Sequence, residues 1–442
     1  MSVAVFEREA LSEDEQHLVR KLRASVGARL ADRVGENTDS AERQRIGRVL
    51  IDDALIAHAR AALADGGLDV LNGQAETRVA RAVFDALFGM GGLQRWLDDP
   101  EVENITANGH DCVFIHYADG RKVQVGPIAA SEEDFVDLLR TIAARAGTEE
   151  RMFDRAHPQL NIQLPDGSRL FAVMAVSDRV SMTVRRHRHM AVSLQELSAM
   201  GVFDLDIAAQ LAAAVRAKLN ILVCGGMGHG KTTLVRALAA CISPEERLVT
   251  IEDTYELALG KQHPDVVAMQ ARQGNLEGNG EVTQADLVRM SLRMNASRVI
   301  VGEVRGEELV SMLNAMMMGS DGSIGTMHAS TSKQAFDKLA SYAIQAPERL
   351  DRAATNLLVS TALHVVIQLR RLRDGSRVIS SIREITGVGD NGEVTSNEVL
   401  RPDRQGRAVP GTGWTADTAD LLIEAGLDPV VLERSARAGW SL

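Results

Sequence analysis

A lysine and two hydroxyls close a glycine-dense turn at residues 225–233, GGMGHGKTT, directly after the apolar run LNILVC. Gly225, Gly230, Lys231 and Thr232 fill the spacing G-x-x-x-x-G-K-[ST], with Gly226, Gly228 and Thr233 around them. Glycines let such a loop fold back so that its N–H groups face phosphate oxygens, and the following helix adds its positive N-terminal end. In that chemistry Lys231 reaches the β- and γ-phosphates of a nucleoside triphosphate and the Thr232 hydroxyl binds Mg²⁺. Met227 and His229 fall at variable positions where the loop presents backbone, and His229 is expected to face solvent.

Three further segments end apolar runs in groups that suit phosphoryl chemistry. VTIEDT places Glu252 and Asp253 at a strand end, where side chains project toward a phosphate. RVIVGEVRGEE ends in Glu303, a carboxylate suited to orienting or deprotonating an attacking water. GSIGTMHA ends in His328, a γ-phosphate sensor candidate. The expected metal ligands are Thr232, Glu252 and Glu303, and the expected cofactors are a nucleoside triphosphate and Mg²⁺.

The elements that must position these groups are legible in the hydrophobic pattern. Residues 1–75 predict a helical N-terminal extension, rich in Ala, Arg, Glu and Leu, interrupted near Gly66–Gly67 and Asn72–Gly73. Residues 76–188 predict a smaller α+β domain. In it the runs VENITANG, CVFIHYADGRKVQV, LNIQLPDGSRLFAVMAV and RVSMTVRR carry turn signals at Asp119-Gly120 and Asp166-Gly167, with a helix in EEDFVDLLRTIAARAG. Residues 189–387 alternate strand and helix, which predicts an α/β domain with a mostly parallel sheet. Residues 388–442 are a C-terminal extension with one helical stretch, LLIEAGLDPVVLERSARAG.

Length and composition bound the class. A chain of 442 residues is too long for one ordinary core. A net charge of −11 argues against broad nucleic-acid binding, which needs a Lys/Arg surplus. Cys112, Cys224 and Cys241 are widely spaced with no CxxC pair and read as small apolar residues in a reducing compartment. The N-terminus carries no apolar signal segment, and no run approaches the roughly 20 apolar residues that span a bilayer. The expected location is cytoplasmic. Met312, Met316, Met317 and Met318 predict adaptable core or inter-subunit packing rather than a metal site, and the pairs His187/His189 and His157/His263 lack the companions of a zinc site.

Taken in order, GGMGHGKTT, TIEDTYEL, NLEGNGEVTQADLVRMSLRMNASRVIVGEVRGEE and MMMGSDGSIGTMHAS resemble the Walker A, Asp-box, Walker B and His-box series of the type II/IV secretion ATPases. The GNGEVT…LRM…VGEVRG run is most similar to the CpaF-type branch that powers Tad (Flp) pilus assembly. GMGGLQRWLDDPEVENITANG, LPDGSR, TVRR and VIQLRRLRDGSRVISSIREITG resemble it too, so the likeness covers roughly residues 78 to 387. The sequence departs from the family pattern at Met227, His229, Ser320 and Ser330.

The resemblance implies a RecA-like P-loop ATPase core behind the α+β domain, a homo-hexameric ring, and ATP held between the two domains of a subunit. It implies Glu303 as the catalytic glutamate, Glu252 and Asp253 as the Asp box, and His328 as the His-box histidine. Arg169 of LPDGSR and Arg185 of TVRR match the family's γ-phosphate arginines, whereas Arg186 and Arg188 read as a solvated basic edge. The implied partner is a polytopic inner-membrane platform protein, which would hold the motor peripherally at the inner face of the cytoplasmic membrane, with no direct nucleic acid. A Tad pilus motor and a conjugative or type IV secretion motor both fit. A nucleic-acid translocase lacks its basic channel, and a non-hydrolysing nucleotide-gated subunit is at odds with the presence of both Lys231 and Glu303.

Overall fold

The structure is a computed structural model that describes residues 11–34, 38–64, 70–146, 152–186, 191–272 and 280–439. The predicted turn at Gly66–Gly67, residues 275–279 of the quoted Walker B run, and His187, Arg188 and His189 lie outside them. The chain forms two compact units, Met1–Arg188 and His189–Leu442.

In the first unit three helices come first: α1 (Glu13–Arg33), α2 (Ser40–Ala64) and α3 (Gly73–Phe88). A capping box starts α1, with Ser12 Oγ accepting the Glu15 N–H and the Glu15 carboxylate taking the Ser12 N–H. Leu18, Leu22 and Val26 recur at helical spacing and pack with Leu50, Val79 and Val83 in one core. Helix α3, expected to open the second domain, therefore packs with the first two. After α4 (Gln94–Leu97) come β1 (Val102–Asn108), β2 (Val113–Tyr117), β3 (Lys122–Val125), α5 (Glu132–Ala146), β4 (Gln159–Gln163), β5 (Arg169–Val173) and β6 (Ser181–Arg185). The sheet runs β3-β2-β1-β6-β5-β4, antiparallel at every pairing, and Phe135, Leu139 and Ile142 of α5 share its core.

The second unit begins with α6 (Leu194–Ala199) and α7 (Leu205–Arg216). Strand β7 (Ile221–Cys224) follows, then α8 (Lys231–Ala239), β8 (Leu248–Glu252), β9 (Val266–Gln270), α9 (Gln284–Ser291), β10 (Arg298–Val304), α10 (Glu308–Met317) and β11 (Ile324–Met327). Beyond them lie α11 (Gln334–Gln345), α12 (Arg352–Ala362), β12 (Val365–Arg371), β13 (Arg377–Val388), β14 (Val394–Pro402), β15 (Ala408–Pro410), α13 (Ala416–Glu424) and α14 (Pro429–Gly439).

The sheet order is β15-β14-β13-β12-β7-β11-β10-β8-β9. Every pairing from β12 to β9 is parallel, and the pairings beyond β12 are antiparallel. Both faces are covered, which is why the central strands read as unbroken apolar runs. Ile221 and Val223 pack toward α7 and α8, while Leu222 and Cys224 pack on the opposite face with α10. Met312 and Met316 belong to that second core, whereas Met317 and Met318 are exposed. Residues beyond 387 continue the same sheet through β14 and β15. The one expected terminal helix is two, broken at Gly426, whose φ is 89°. The buried Glu384 carboxylate accepts the Thr415 N–H at 2.9 Å and its hydroxyl at 2.6 Å, and so fixes the start of α13.

Asn220, just before β7, ties the base of the sheet together. Its side-chain amide donates to Met316 O (3.3 Å) and Ala362 O (2.6 Å), and its Oδ1 accepts from Gly322 N (2.8 Å) and Ser323 N (3.0 Å). Truncation would leave four buried backbone groups without this partner. Asn220→Ala is expected to cost about 3 kcal/mol, read as a lower denaturant midpoint for the second unit. An unchanged midpoint would mean that these four bonds contribute little.

Candidate active site

The loop after β7 is shaped by left-handed backbone at two glycines. Gly228 has φ 71° and Gly230 has φ 92°, conformations that a side chain would resist. The chain then enters α8 at Lys231, with Thr232 and Thr233 half-buried in its first turn. Lys231 is itself buried, and its Nζ lies 3.1 Å from Gly225 O and 3.2 Å from Gly226 O.

Parallel pairing brings the ends of β7, β11 and β10 side by side, and the sequence-predicted groups meet there. Lys231 Nζ is 3.2 Å from His328 Nδ1 and 3.6 Å from Glu303 Oε1. His328 Nε2 is 2.6 Å from the same Glu303 oxygen. These contacts are mutually consistent for a neutral imidazole with its proton on Nε2, accepting from Lys231 and donating to Glu303. Burial pulls the His328 pKa down, with Lys231 adding to the effect against Glu303, which favours the neutral ring. Burial pushes the Glu303 carboxyl up, yet Arg305, His328 and Lys231 together outweigh it, and its pKa is lowered.

Arg305 is a residue that the motif reading passed over. Its Nε donates to Glu303 Oε2 at 2.6 Å and its Nη1 reaches Asp253 Oδ2 at 3.5 Å, so it bridges the two carboxylates. The buried Glu308 carboxylate holds the turn that presents it, accepting the N–H groups of Arg305 and Gly306. The available signal was spacing: positions 303 and 305 share one side of a strand end.

Glu252 does not join the group expected to hold a metal. It is 3% exposed, and its Oε2 accepts the N–H groups of Glu256 (2.6 Å) and Leu257 (2.8 Å). The fully buried Arg236 of α8 holds the same segment, donating to Leu257 O at 3.1 Å and to Glu256 O. What this packing delivers to the loop is Glu256, whose Oε2 lies 3.5 Å from Thr232 Oγ1. Glu256 was legible only as a second acid four residues after Glu252. Among the described residues, no group of three or more His, Cys, Asp or Glu side chains is gathered as a metal site.

His229 also departs from expectation. Its ring is half-buried and packs under the loop, where Nδ1 accepts the Gly226 N–H at 3.0 Å and lies 3.2 Å from Leu369 O. A cleft of about 1120 Å³ opens beside it, running from Gly226 and His328 to Arg383 between the start of α11 and the β12–β13 hairpin.

In the first unit Arg169 and Arg185 are directly paired across β5 and β6. Like charges placed opposite each other disfavour a sheet unless an anion or a polar neighbour compensates. Arg169 Nε donates to Asn161 Oδ1 at 3.1 Å. Arg186 is no solvated edge: it reaches back to Asp99 O and Val102 O.

Residues 92–405 match the family described as type II/IV secretion system protein. The chain belongs to that family. It is 35% identical over 346 residues to a Mycobacterium tuberculosis (strain ATCC 25618 / H37Rv) protein named for conjugal transfer, covering 76% of this chain and 91% of that one. It is 32% identical over 309 residues to the protein VirB11 of Agrobacterium fabrum, covering 63% and 87%. The crystal structure of the VirB11 ATPase from the Brucella suis type IV secretion system, in complex with sulphate, is 26% identical, with TM-score 0.37 and coverage of 66% and 94%. The chain carries the α/β fold expected of it: a mostly parallel sheet flanked by helices, with the glycine-rich loop after β7, follows an α+β sheet and helices in the sequence. Among the described residues, no helix is long and apolar enough to cross a membrane.

Burial raises the Glu252 pKa from 4.5 to about 7, against the lowering effect of its two backbone partners. A carboxyl raised on folding contributes stability that is complete below the unfolded value and is lost as pH rises through the folded one. From pH 5 to pH 8 the wild type should lose stability on the order of 3 kcal/mol at this group. Glu252→Gln keeps an acceptor oxygen for both N–H groups and should flatten that decline in a thermal melt series. Parallel pH curves for the two proteins would contradict this.

Proposed function

We propose that the chain is an ATPase working as a homo-hexameric motor on a membrane-embedded secretion or pilus apparatus. The observation that carries the reading is the convergence of Lys231, His328 and Arg305 on Glu303 at the mouth of a phosphate loop. ATP supplies the phosphoryl group, and Mg²⁺ neutralises its charge. Lys231 would turn from the Gly225 and Gly226 carbonyls toward the phosphates, within a loop whose N–H groups face the same anion. Thr232 and Glu256 would hold the Mg²⁺; the ligand role expected of Glu252 passes to Glu256. Freed from Lys231, ionised Glu303 would orient the attacking water, with His328 as a neutral donor near the γ-phosphate. The Arg169–Arg185 pair supports a γ-phosphate contact from the first unit, because both guanidinium groups start from adjacent strand positions.

A RecA-like core accompanied by a complete α+β domain suits a machine that turns hydrolysis into movement. The partner in this reading is a polytopic inner-membrane platform protein, reached from the cytoplasmic side. Nucleic acid is not the substrate, in keeping with the charge of −11. Conjugative or type IV transport is supported by the names of the relatives, and Tad pilus assembly by the Walker B run.

Glu303→Gln should bind ATP with near wild-type affinity and lose turnover about 10²-fold or more, whereas Lys231→Ala should lose the binding itself. Equal turnover in Glu303→Gln and wild type would remove Glu303 from the chemistry. Arg305→Ala tests the charge balance separately. Removing an adjacent cation raises a carboxyl pKa, so the acid limb of the kcat profile should move to higher pH. An unmoved limb would show that Arg305 does not tune Glu303.

A further inference from the structure

The phosphate loop does not hold its shape alone. Its Met227 side chain is 81% exposed and anchors nothing, and Gly228 and Gly230 sit in strained-for-others backbone. We infer that the β12–β13 hairpin is a latch that sets the loop for nucleotide, with Arg377 and His229 as positioning residues. This rests on the nucleotide-binding reading above.

Two contacts make the latch. From the start of β13, Arg377 Nε donates to Gly228 O at 2.8 Å. From within the loop, His229 Nδ1 stands 3.0 Å from Gly226 N and 3.2 Å from Leu369 O on β12, and it bonds one of them in each tautomer: unprotonated it accepts the Gly226 N–H, protonated it donates to Leu369 O. The loop and hairpin leave no spare room: a Cβ on Gly225 would stand 3.0 Å from Leu369 O, and one on Gly226 2.8 Å from the His229 ring. The hairpin that carries Arg377 is itself firmly turned. Leu372 N bonds Ser376 O at 2.8 Å, Gly375 adopts φ 87°, and Asp374 accepts both the Ser376 N–H and its hydroxyl.

The consequence follows from peptide planarity. Gly228 C=O and His229 N–H belong to one trans peptide and point opposite ways. Pinning the carbonyl toward Arg377 therefore fixes the orientation of that whole peptide, whose N–H turns back to Gly226 O at 3.4 Å, and with it the curvature of the loop. A loop held in its binding shape spends less free energy on ordering when the anion arrives. Arg377 thus acts on affinity, through the loop, and not on the chemical step. It also gives the departure at position 229 a physical role, because the imidazole Nδ1 stands between Gly226 N and Leu369 O.

The test is titration of the full chain with mant-ATP and Mg²⁺, beside steady-state ATPase assays and thermal melts. Arg377→Ala should weaken mant-ATP binding by about ten-fold, the loss of one charge-assisted bond, with kcat close to wild type and an unshifted melt. Arg377→Lys, which keeps a cationic donor within reach of Gly228 O, should recover most of the affinity. His229→Ala should weaken binding by about three-fold, as a neutral bond is lost. Wild-type binding with unchanged affinity in Arg377→Ala and His229→Ala overturns the latch alone. A fall in kcat with affinity retained also overturns it. A wild type that does not bind mant-ATP overturns the nucleotide reading and the latch with it.

Discussion

One carboxylate organises the site. Glu303 accepts from His328 and Arg305 and lies within ion-pair distance of Lys231, so three cationic or donor side chains from separate segments share a single anion. That arrangement demands that the ends of β7, β10 and β11 be near neighbours, and the strand order β7-β11-β10 supplies it. Neighbouring strands lie about 4.8 Å apart, which sets the reach from Lys231 to His328 and from His328 to Glu303. The register of β7 is fixed in turn by the two packed faces, since a one-residue slip would exchange Ile221 and Val223 with Leu222 and Cys224. In the proposed cycle a phosphate competes with Glu303 for Lys231, which links loop occupancy to release of the catalytic group.

Around this centre lies a buried polar support. Glu252 and Arg236 spend their own hydrogen bonds on the backbone of residues 256–257, and that investment fixes where Glu256 stands relative to Thr232. On the far side of the loop the β12–β13 hairpin performs the equivalent task through Arg377 and His229. The loop itself contributes flexible glycines, and its shape comes from what is packed on either side.

Much of this was readable in the sequence. Buried parallel strands announce themselves as apolar runs, so ILVC, LVTIE and RVIVGEV located β7, β8 and β10 and, with them, Glu252 and Glu303. The two capping-box serines at Ser12 and Ser193 match helix starts by local chemistry. Other features were not local. Nothing in TIEDTYEL says that Glu252 will turn inward; that depends on two backbone N–H groups left without partners when the chain bends after Thr254. The ring of His229 folds under the loop beside Leu369 O, a neighbour 140 residues away in sequence that no local pattern reveals. Strands β14 and β15 escaped detection because their polar, half-exposed residues carry little period, and the pairing that makes them strands lies with β13. Helix α12, in DRAATNLLVSTAL, was missed for its Thr, Asn and Ser content; buried Thr355 and Asn356 bond to backbone around them.

The most direct measurement is steady-state ATP turnover of the purified chain across a range of protein concentrations, with Glu303→Gln in parallel. An oligomeric motor with Glu303 at its centre predicts turnover that rises more steeply than protein concentration and disappears in the variant. Turnover absent from both proteins while ATP binds tightly would contradict hydrolysis by the chain itself, and turnover strictly proportional to concentration would contradict assembly as its requirement.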